Sequence, residues 1–493
     1  MKLKAKKKLF HNYKNLVVAS PLTFLAFIAT CFPARAVSFN FSYQPDSITQ
    51  KQIEGVELAG NIWSSYLQNS DVEVNVHFEM TNGFLPAGKL GGATPYMKKM
   101  NYDKLKLGLA ADGTADVSLL PTSKQGSDKY SVMLQDGSID DSYYEVLQTT
   151  ANNKALGNDL SGDASGLDIY IQLESSVNWS FNYVDDNTPS DRYDFVSVVL
   201  HELGHGLGFV SGVDTQTTQL ALPTTLDIFR YSSESASKGA IDYSVGGTKY
   251  FSTDGGETQI GEFATGVDTS LGGDGDQASH WKATSGNNNP ACRAEYFSTN
   301  SRQIQTGDFL TGVDTNLGSY GEQVSQWGPN TKTNKGNKEA DYLGIMSSTI
   351  QRGETRHISE LDLTAFDYIG WDVNYDAQLN LYDLQQDAEN KAKNIWGNDD
   401  YILDRSSDVE SMIKESGIYE INYNFAGNSS RGFSFWQSQN QDDRTVTPNQ
   451  KTNECNIPPE EEHKPATTPE PNIIAGLGIV GIFGFLRRRK TLQ

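Results

Sequence analysis

The sequence predicts an α+β fold. Ile48 to Leu67 is amphipathic at helical spacing, with Ile53, Val56, Gly60, Trp63 and Leu67 on one face. Two segments alternate as strands do: Asp71 to Met80, with Val72, Val74 and Val76 on one side, and Asp168 to Leu173, with Ile169, Ile171 and Leu173. A second helix, roughly residues 192–207, carries His201-Glu202-Leu203-Gly204-His205 on an otherwise apolar segment.

The remaining elements follow in order. Residues 81–166 are mixed, with one more strand expected at Ala115–Leu120. A loop rich in Asp, Asn and Pro, Asp185 to Ser190, leads into the motif helix. Tyr250–Trp281 aligns without gaps to Tyr296–Trp327 at an offset of 46, with 18 of 32 positions identical. Two copies are too few for a solenoid, so this is a local duplication. Ser359 to Ile369 reads as a helix with Ser359 as N-cap, Asp362 as the acid of a capping box and Gly370 as the stop. Beyond Asp372 the pattern weakens: a helix is expected within Tyr375–Trp396 and a short strand pair within Ile418–Trp436. Residues 438–471 are polar and rich in Pro and Glu, as in a linker.

The ends of the chain carry their own signals. Six lysines, an apolar run from Leu16 to Phe32 and Ala34-Arg35-Ala36 have the order of a secretory signal peptide over residues 1–36. Cleavage there removes seven positive charges and takes the net charge from −22 to −29. So acidic a body argues against nucleic acid as a partner and suits solubility outside the cell. Cys292 and Cys455 alone remain, too few and too far apart for a disulfide framework. At the other end, Pro469-Glu470-Pro471, an apolar run from Ile473 to Leu486 and Arg487-Arg488-Arg489-Lys490 resemble the PEP-CTERM sorting signal. That resemblance implies an exosortase-type partner, transient membrane contact through residues 469–493, and export to the surface or surroundings of a Gram-negative or cyanobacterial cell. The expected organisation is a signal peptide (1–36), a main domain (37–373), a small extension (374–437), a linker (438–468) and a sorting signal (469–493).

The motif carries the chemistry. Residues four apart share a helix face, so the imidazoles of His201 and His205 can reach one ion. Glu202 points about 100° away. Its carboxylate then stands beside the metal, placed to take a proton from a metal-activated water. Phe195, Val198 and Val199 are expected to anchor the helix in the core, and Gly204, Gly206 and Gly208 to keep side-chain bulk away from the metal. A catalytic zinc needs a third protein ligand and an open position. Candidates include His77, His280, His357 and His463; His77, in an early strand, and His463, in the linker, are expected to be solvated.

His201-Glu202-x-x-His205-x-x-Gly208 resembles the opening of the metzincin zinc motif. Most metzincins place the third ligand three residues after that glycine, where this chain has Ser211. Leishmanolysin-like metzincins instead use a histidine in a later Ser-His-Trp segment, and Ser279-His280-Trp281 resembles it. Gly344-Ile345-Met346-Ser347 resembles the Met-turn, and Ile358 to Trp371 the helix after it. The resemblance implies a metzincin-like metalloprotease domain with a twisted mixed sheet, an active-site helix and an irregular lower subdomain. It implies Zn2+ on His201, His205 and His280, and Met346 flooring the site without touching the metal. Among the chain's other residues, His357, just before the capped helix, and then Asp214 are the alternative choices for third ligand. Gln326 holds the place of His280 in the second repeat copy. Asp274 and Asp276 offer oxygens to Ca2+ or form a solvated turn, the turn being the preferred reading.

The function expected is an exported zinc endopeptidase acting on protein or peptide substrates, with Glu202 as general base. The substrate is expected to lie along an edge strand beside the motif helix, with the segment before Trp179-Ser180-Phe181 as the candidate edge. The alternative is a non-catalytic surface or extracellular-matrix protein that keeps the zinc fold as scaffold.

Overall fold

Capping and patterning place the first elements. The computed structural model describes residues 36–83, 85, 88–158, 166–215, 222–282, 344–415 and 434–438. All lie within one compact unit that ends at Arg444. The chain enters at β1 (Ser38–Tyr43) and α1 (Gln50–Tyr66). The Thr49 side chain accepts from the Gln52 N–H, and the Gln52 side chain accepts from the Thr49 N–H, so a capping box starts α1. Ile53, Val56, Trp63 and Leu67 are buried, as the helical spacing requires. β2 (Glu73–Thr81) pairs parallel with β1, and Val72, Val74 and Val76 face the core. His77 on the same strand is also buried, against the expectation of solvation. It is held by Ser42 Oγ at 3.0 Å and Gln44 Oε1 at 3.2 Å, and burial pushes its pKa down to about 4.

β3 (Lys89–Pro95), β4 (Met97–Asn101) and α2 (Tyr102–Asp112) come next. No strand forms at Ala115–Leu120. The Asp116 carboxylate takes the Ser118 N–H at 3.0 Å and its hydroxyl at 2.7 Å, and this local turn outcompetes a ladder. β5 (Tyr130–Met133), β6 (Ile139–Tyr143), β7 (Glu145–Thr149) and α3 (Thr150–Ala155) lead to β8 (Ile169–Glu174). β8 is buried on both faces, so its alternation understates its burial.

β9 (Trp179–Ser180) and β10 (Tyr193–Asp194) flank the expected loop at 185–190. The motif helix is α4 (Phe195–Leu207), three residues shorter than expected, because Asp194 caps it by accepting the Ser197 N–H at 2.7 Å. β11 (Arg230–Tyr231), α5 (Ser233–Ser237), β12 (Ile241–Asp242), β13 (Lys249–Phe251) and β14 (Gly261–Phe263) form short sheets after it. The last two belong to the first repeat copy; the second copy lies outside the described residues.

β15 (Thr349–Ile350) follows the Gly344–Ser347 turn, and α6 (Glu360–Tyr368) starts with the expected Ser359/Asp362 capping box. α7 (Leu381–Ile395) begins six residues later than Tyr375, and α8 (Ser406–Glu415) comes next. α7 packs on α1: Asn61 Nδ2 donates to Leu384 O at 3.3 Å, and Lys391 Nζ sits 3.3 Å from Glu57 Oε2. Of the expected strand pair at Ile418–Trp436, residues 418–433 lie outside the described residues, and β16 (Ser434–Ser438) pairs elsewhere.

The main sheet runs β1-β2-β8-β3-β16-β15. Its first three strands are parallel; β3 is antiparallel to β8, β16 antiparallel to β3, and β15 parallel to β16. The fold is thus mixed α+β with open sheets. Among the described residues no helix is long and apolar enough to cross a membrane. The expected signal peptide up to Arg35, the linker beyond Ser438 and the sorting signal lie outside the described residues.

Candidate metal centre

α4 is buried along its whole length and held at both ends. Asp194 caps its start, and burial pushes that carboxyl up to about 7. Trp63 Nε1 donates to Leu200 O at 3.0 Å, and Trp371 Nε1 to Leu207 O at 2.9 Å, so two indoles fix its axis. The glycines serve packing rather than space at the metal. A Cβ on Gly206 would lie 2.6 Å from Ile169 Cγ1 and 2.8 Å from Cγ2, and one on Gly204 would run into the Met346 sulfur. The helix presses that closely on β8 and on the Gly344–Ser347 turn.

Three histidines converge at the end of this helix. His201 Nε2 lies 3.0 Å from His205 Nε2 and 3.3 Å from His280 Nε2. All three rings are buried. Each Nδ1 meets a backbone carbonyl: His201 that of Ile345 at 2.7 Å, His205 that of Phe209 at 2.7 Å, and His280 that of Gln277 at 3.2 Å. A carbonyl only accepts, so each Nδ1 carries the proton and donates. Each Nε2 is then a lone pair. Desolvation first, then the neighbouring rings, holds His201 and His280 well below the ordinary imidazole range, and desolvation takes His205 down to about 4. Three buried lone pairs this close repel unless a cation sits among them. Nitrogens bound tetrahedrally at 2.0–2.1 Å stand about 3.3 Å apart, so the spacing leaves room for one metal ion. Among the described residues this trio is the one group of His, Cys, Asp or Glu arranged to hold a metal.

Sequence reasoning named the three histidines that converge but missed the residues that aim them. Ser211, three residues after Gly208, is buried. Here its N–H donates to Ser279 Oγ at 2.8 Å, and its hydroxyl to Asp227 Oδ1 at 2.6 Å. It therefore docks the segment that delivers His280. Asp214, weighed as a ligand, accepts from Ala278 N at 2.8 Å, Ser279 N at 3.0 Å and Ser279 Oγ at 2.5 Å, and burial pushes its pKa up to about 6. Asp362 works on the other flank. It accepts from Trp281 Nε1 at 2.9 Å, Ile345 N at 2.7 Å and Met346 N at 3.2 Å while capping α6. One buried carboxylate thus joins the His280 segment, the Met346 turn and α6. A capping box in sequence was its only signal.

Glu202, next to His201, is buried, and its Oε1 lies 2.9 Å from where a Cβ on Gly91 of β3 would stand. Lys89, at the start of the same strand, feels Asp276 and Glu202, but desolvation dominates and takes it down to about 8. Met346 is buried under α4 against Gly204. His357 is not part of the cluster: its Nδ1 meets Tyr183 Oη at 2.6 Å, and burial pushes its pKa down to about 4. Asp274 turns both oxygens on the Thr265 N–H at 3.0 and 3.1 Å, as a turn residue does. Asp276 Oδ2 accepts from Ser348 Oγ at 2.8 Å. β8, the segment before Trp179, is not an edge strand, since β2 and β3 pair with it on either side. His463 lies outside the described residues.

Residues 162–229 match the model of a family described as SPBPB7E8-like. The matched stretch holds β8, α4 with His201, Glu202 and His205, and the Asp214 and Asp227 turns; it stops short of His280 and Met346. No curated protein and no solved structure matches the chain.

Proposed function

We propose that the chain is an exported zinc endopeptidase of metzincin type with a leishmanolysin-like ligand set. The observation that supports this is the convergence of the His280 Nε2 on those of His201 and His205, which stand beside Glu202 on one helix pinned at both ends. A bound zinc would supply Lewis acidity, polarising the scissile carbonyl and lowering the pKa of the attacking water. The rest falls to the chain's own groups. The three Nε2 lone pairs hold the ion, and the Ile345, Phe209 and Gln277 carbonyls keep each ring in the binding tautomer. Glu202 takes the proton of the attacking water and returns it to the leaving amine. Its burial beside β3 keeps bulk water from competing for that proton.

The test compares the wild-type chain with Glu202→Gln, measuring zinc content and casein hydrolysis. Both should carry about one zinc, since Glu202 is no ligand, while the variant loses hydrolysis by roughly 10² or more. Two loaded proteins with equal hydrolysis would remove Glu202 as the general base, and two loaded proteins with none under any treatment would favour a zinc-bearing structural protein. Two proteins without zinc would remove the metal site itself.

A further inference from the structure

The strands around the motif helix define a slot. β3 and β15 do not pair with each other; each is one strand away from the other across β16. β3 runs close over α4, where a Cβ on Gly91 would stand 2.9 Å from Glu202 Oε1 and 3.1 Å from Val198 Cγ1. β15 begins three residues beyond Met346, so the opposite wall is tied to the turn under the metal site. Between these walls there is room for one extended chain, at about 4.8 Å per strand spacing. Such a chain would find backbone donors and acceptors on both sides, which is how peptides are captured by strand addition.

A segment of this chain already fills that slot. β16 lies antiparallel to β3, with Ser434 opposite Ala93, Phe435 opposite Gly92 and Trp436 opposite Gly91, and with a register break between Trp436 and Gln437. On its other side it runs parallel to β15, pairing Gln437 with Thr349 and Ser438 with Ile350. Trp436 is therefore registered on Gly91, the residue against Glu202. Neither wall is a sequence neighbour of β16: one is more than 300 residues before it, the other more than 80. No hairpin constraint puts the segment there.

We infer that residues 434–438 are an internal occupant of the peptide-binding slot and hold the enzyme off until displaced, which rests on the endopeptidase reading. A substrate and β16 need the same edges of β3 and β15, so only one can be seated. A tether of this kind gives an effective concentration in the millimolar range, so even a segment binding at about 100 µM suppresses the rate about tenfold.

The test uses the full chain and a Phe435→Pro/Trp436→Pro variant, both also made with Glu202→Gln. Adjacent prolines remove both N–H donors from the stretch registered on Gly92 and Gly91 and break the pairing with β3 without touching the three histidines. Zinc content checks the fold. The double-proline chain should hydrolyse casein about tenfold faster, and a synthetic peptide of residues 431–441 should inhibit it competitively. In the Glu202→Gln pair, backbone amides of residues 89–95 should exchange faster with the prolines present. Unchanged exchange at 89–95 together with an unchanged rate overturns the proposal. So does a Glu202-dependent cut within 434–438, which would make the segment a substrate. Faster exchange with no hydrolysis by either chain strikes the endopeptidase reading and, with it, the inhibitory role, but leaves the seating of β16 in place.

Discussion

At the scale of single residues, aim matters as much as identity. His280 reaches His201 and His205 because Asp214 grips the two backbone amides before it and Asp362 grips the indole after it. Replacing Asp214 by Asn removes part of that acceptor set, and zinc affinity should fall about 10- to 100-fold while the far-ultraviolet circular dichroism stays the same. Competition with a chromogenic chelator measures it; unchanged affinity would show the His280 segment holding its own shape. His280→Ala should lose zinc outright and His357→Ala should keep it, because His357 is spent on Tyr183. His357 also gives a pH signature. Its folded pKa of about 4 lies below the ordinary 6.5, so the unfolded chain binds the extra proton first. Stability from this residue is therefore complete above pH 6.5 and is lost as pH falls toward 4, by about 2 kcal/mol at pH 4.5. Buried carboxyls with raised pKa, Asp214 among them, act in the opposite sense, so the difference between variants is the clean readout. Urea midpoints of metal-free His357→Gln should vary less between pH 7 and 4.5 than those of the wild type; parallel curves would refute the assignment.

At the scale of elements, close approach decides what composition cannot. Gly206→Ala gains about 1 kcal/mol of helix propensity. It also drives a methyl into the Ile169 side chain, with three contacts below 3 Å in a buried interface. Overpacking of this kind costs about 1–3 kcal/mol, so the net effect should be destabilising. Trimming the neighbour in Gly206→Ala/Ile169→Val should recover part of the loss in a thermal melt, and a stabilised single variant would mean the helix can shift. Element boundaries failed where a local acceptor intervened. Asp194 starts α4 later than its apolar pattern suggests, and Asp116 turns the chain where a strand was expected. Hydrophobic periodicity registers burial and is blind to a side chain that takes a neighbouring amide.

For the whole molecule, metal and fold should be linked. His201 and His205 come from one helix and His280 from a segment 75 residues later, so an ion held by all three would clip α4 to the loops beyond it. Zinc at 100 times its dissociation constant should add about 2.7 kcal/mol, and a chelator should lower the melting temperature by several degrees. A chelator without effect would mean that the three lone pairs are tolerated by other means.

Sequence alone placed the first residues of the candidate site. Two histidines one helical turn apart with a glutamate between them are placed by helix geometry, whatever surrounds them. The capped helix at Ser359 and the amphipathic helix ending at Leu67 are likewise local, set by hydrogen bonds and spacing within a few residues. Tertiary structure alone brings His280, which its Ser-His-Trp segment had put first in sequence, to His201 and His205, and sets His357 on Tyr183 and Asp214 on the amides of Ala278 and Ser279. It decided that Ser211 docks the ligand segment, that His77 is buried, and that β3 rather than the strand before Trp179 forms the wall by Glu202. It also put residues 434–438 between β3 and β15. These are contacts across tens to hundreds of residues, where packing and long-range hydrogen bonds outweigh local preference, and no window along the chain contains them.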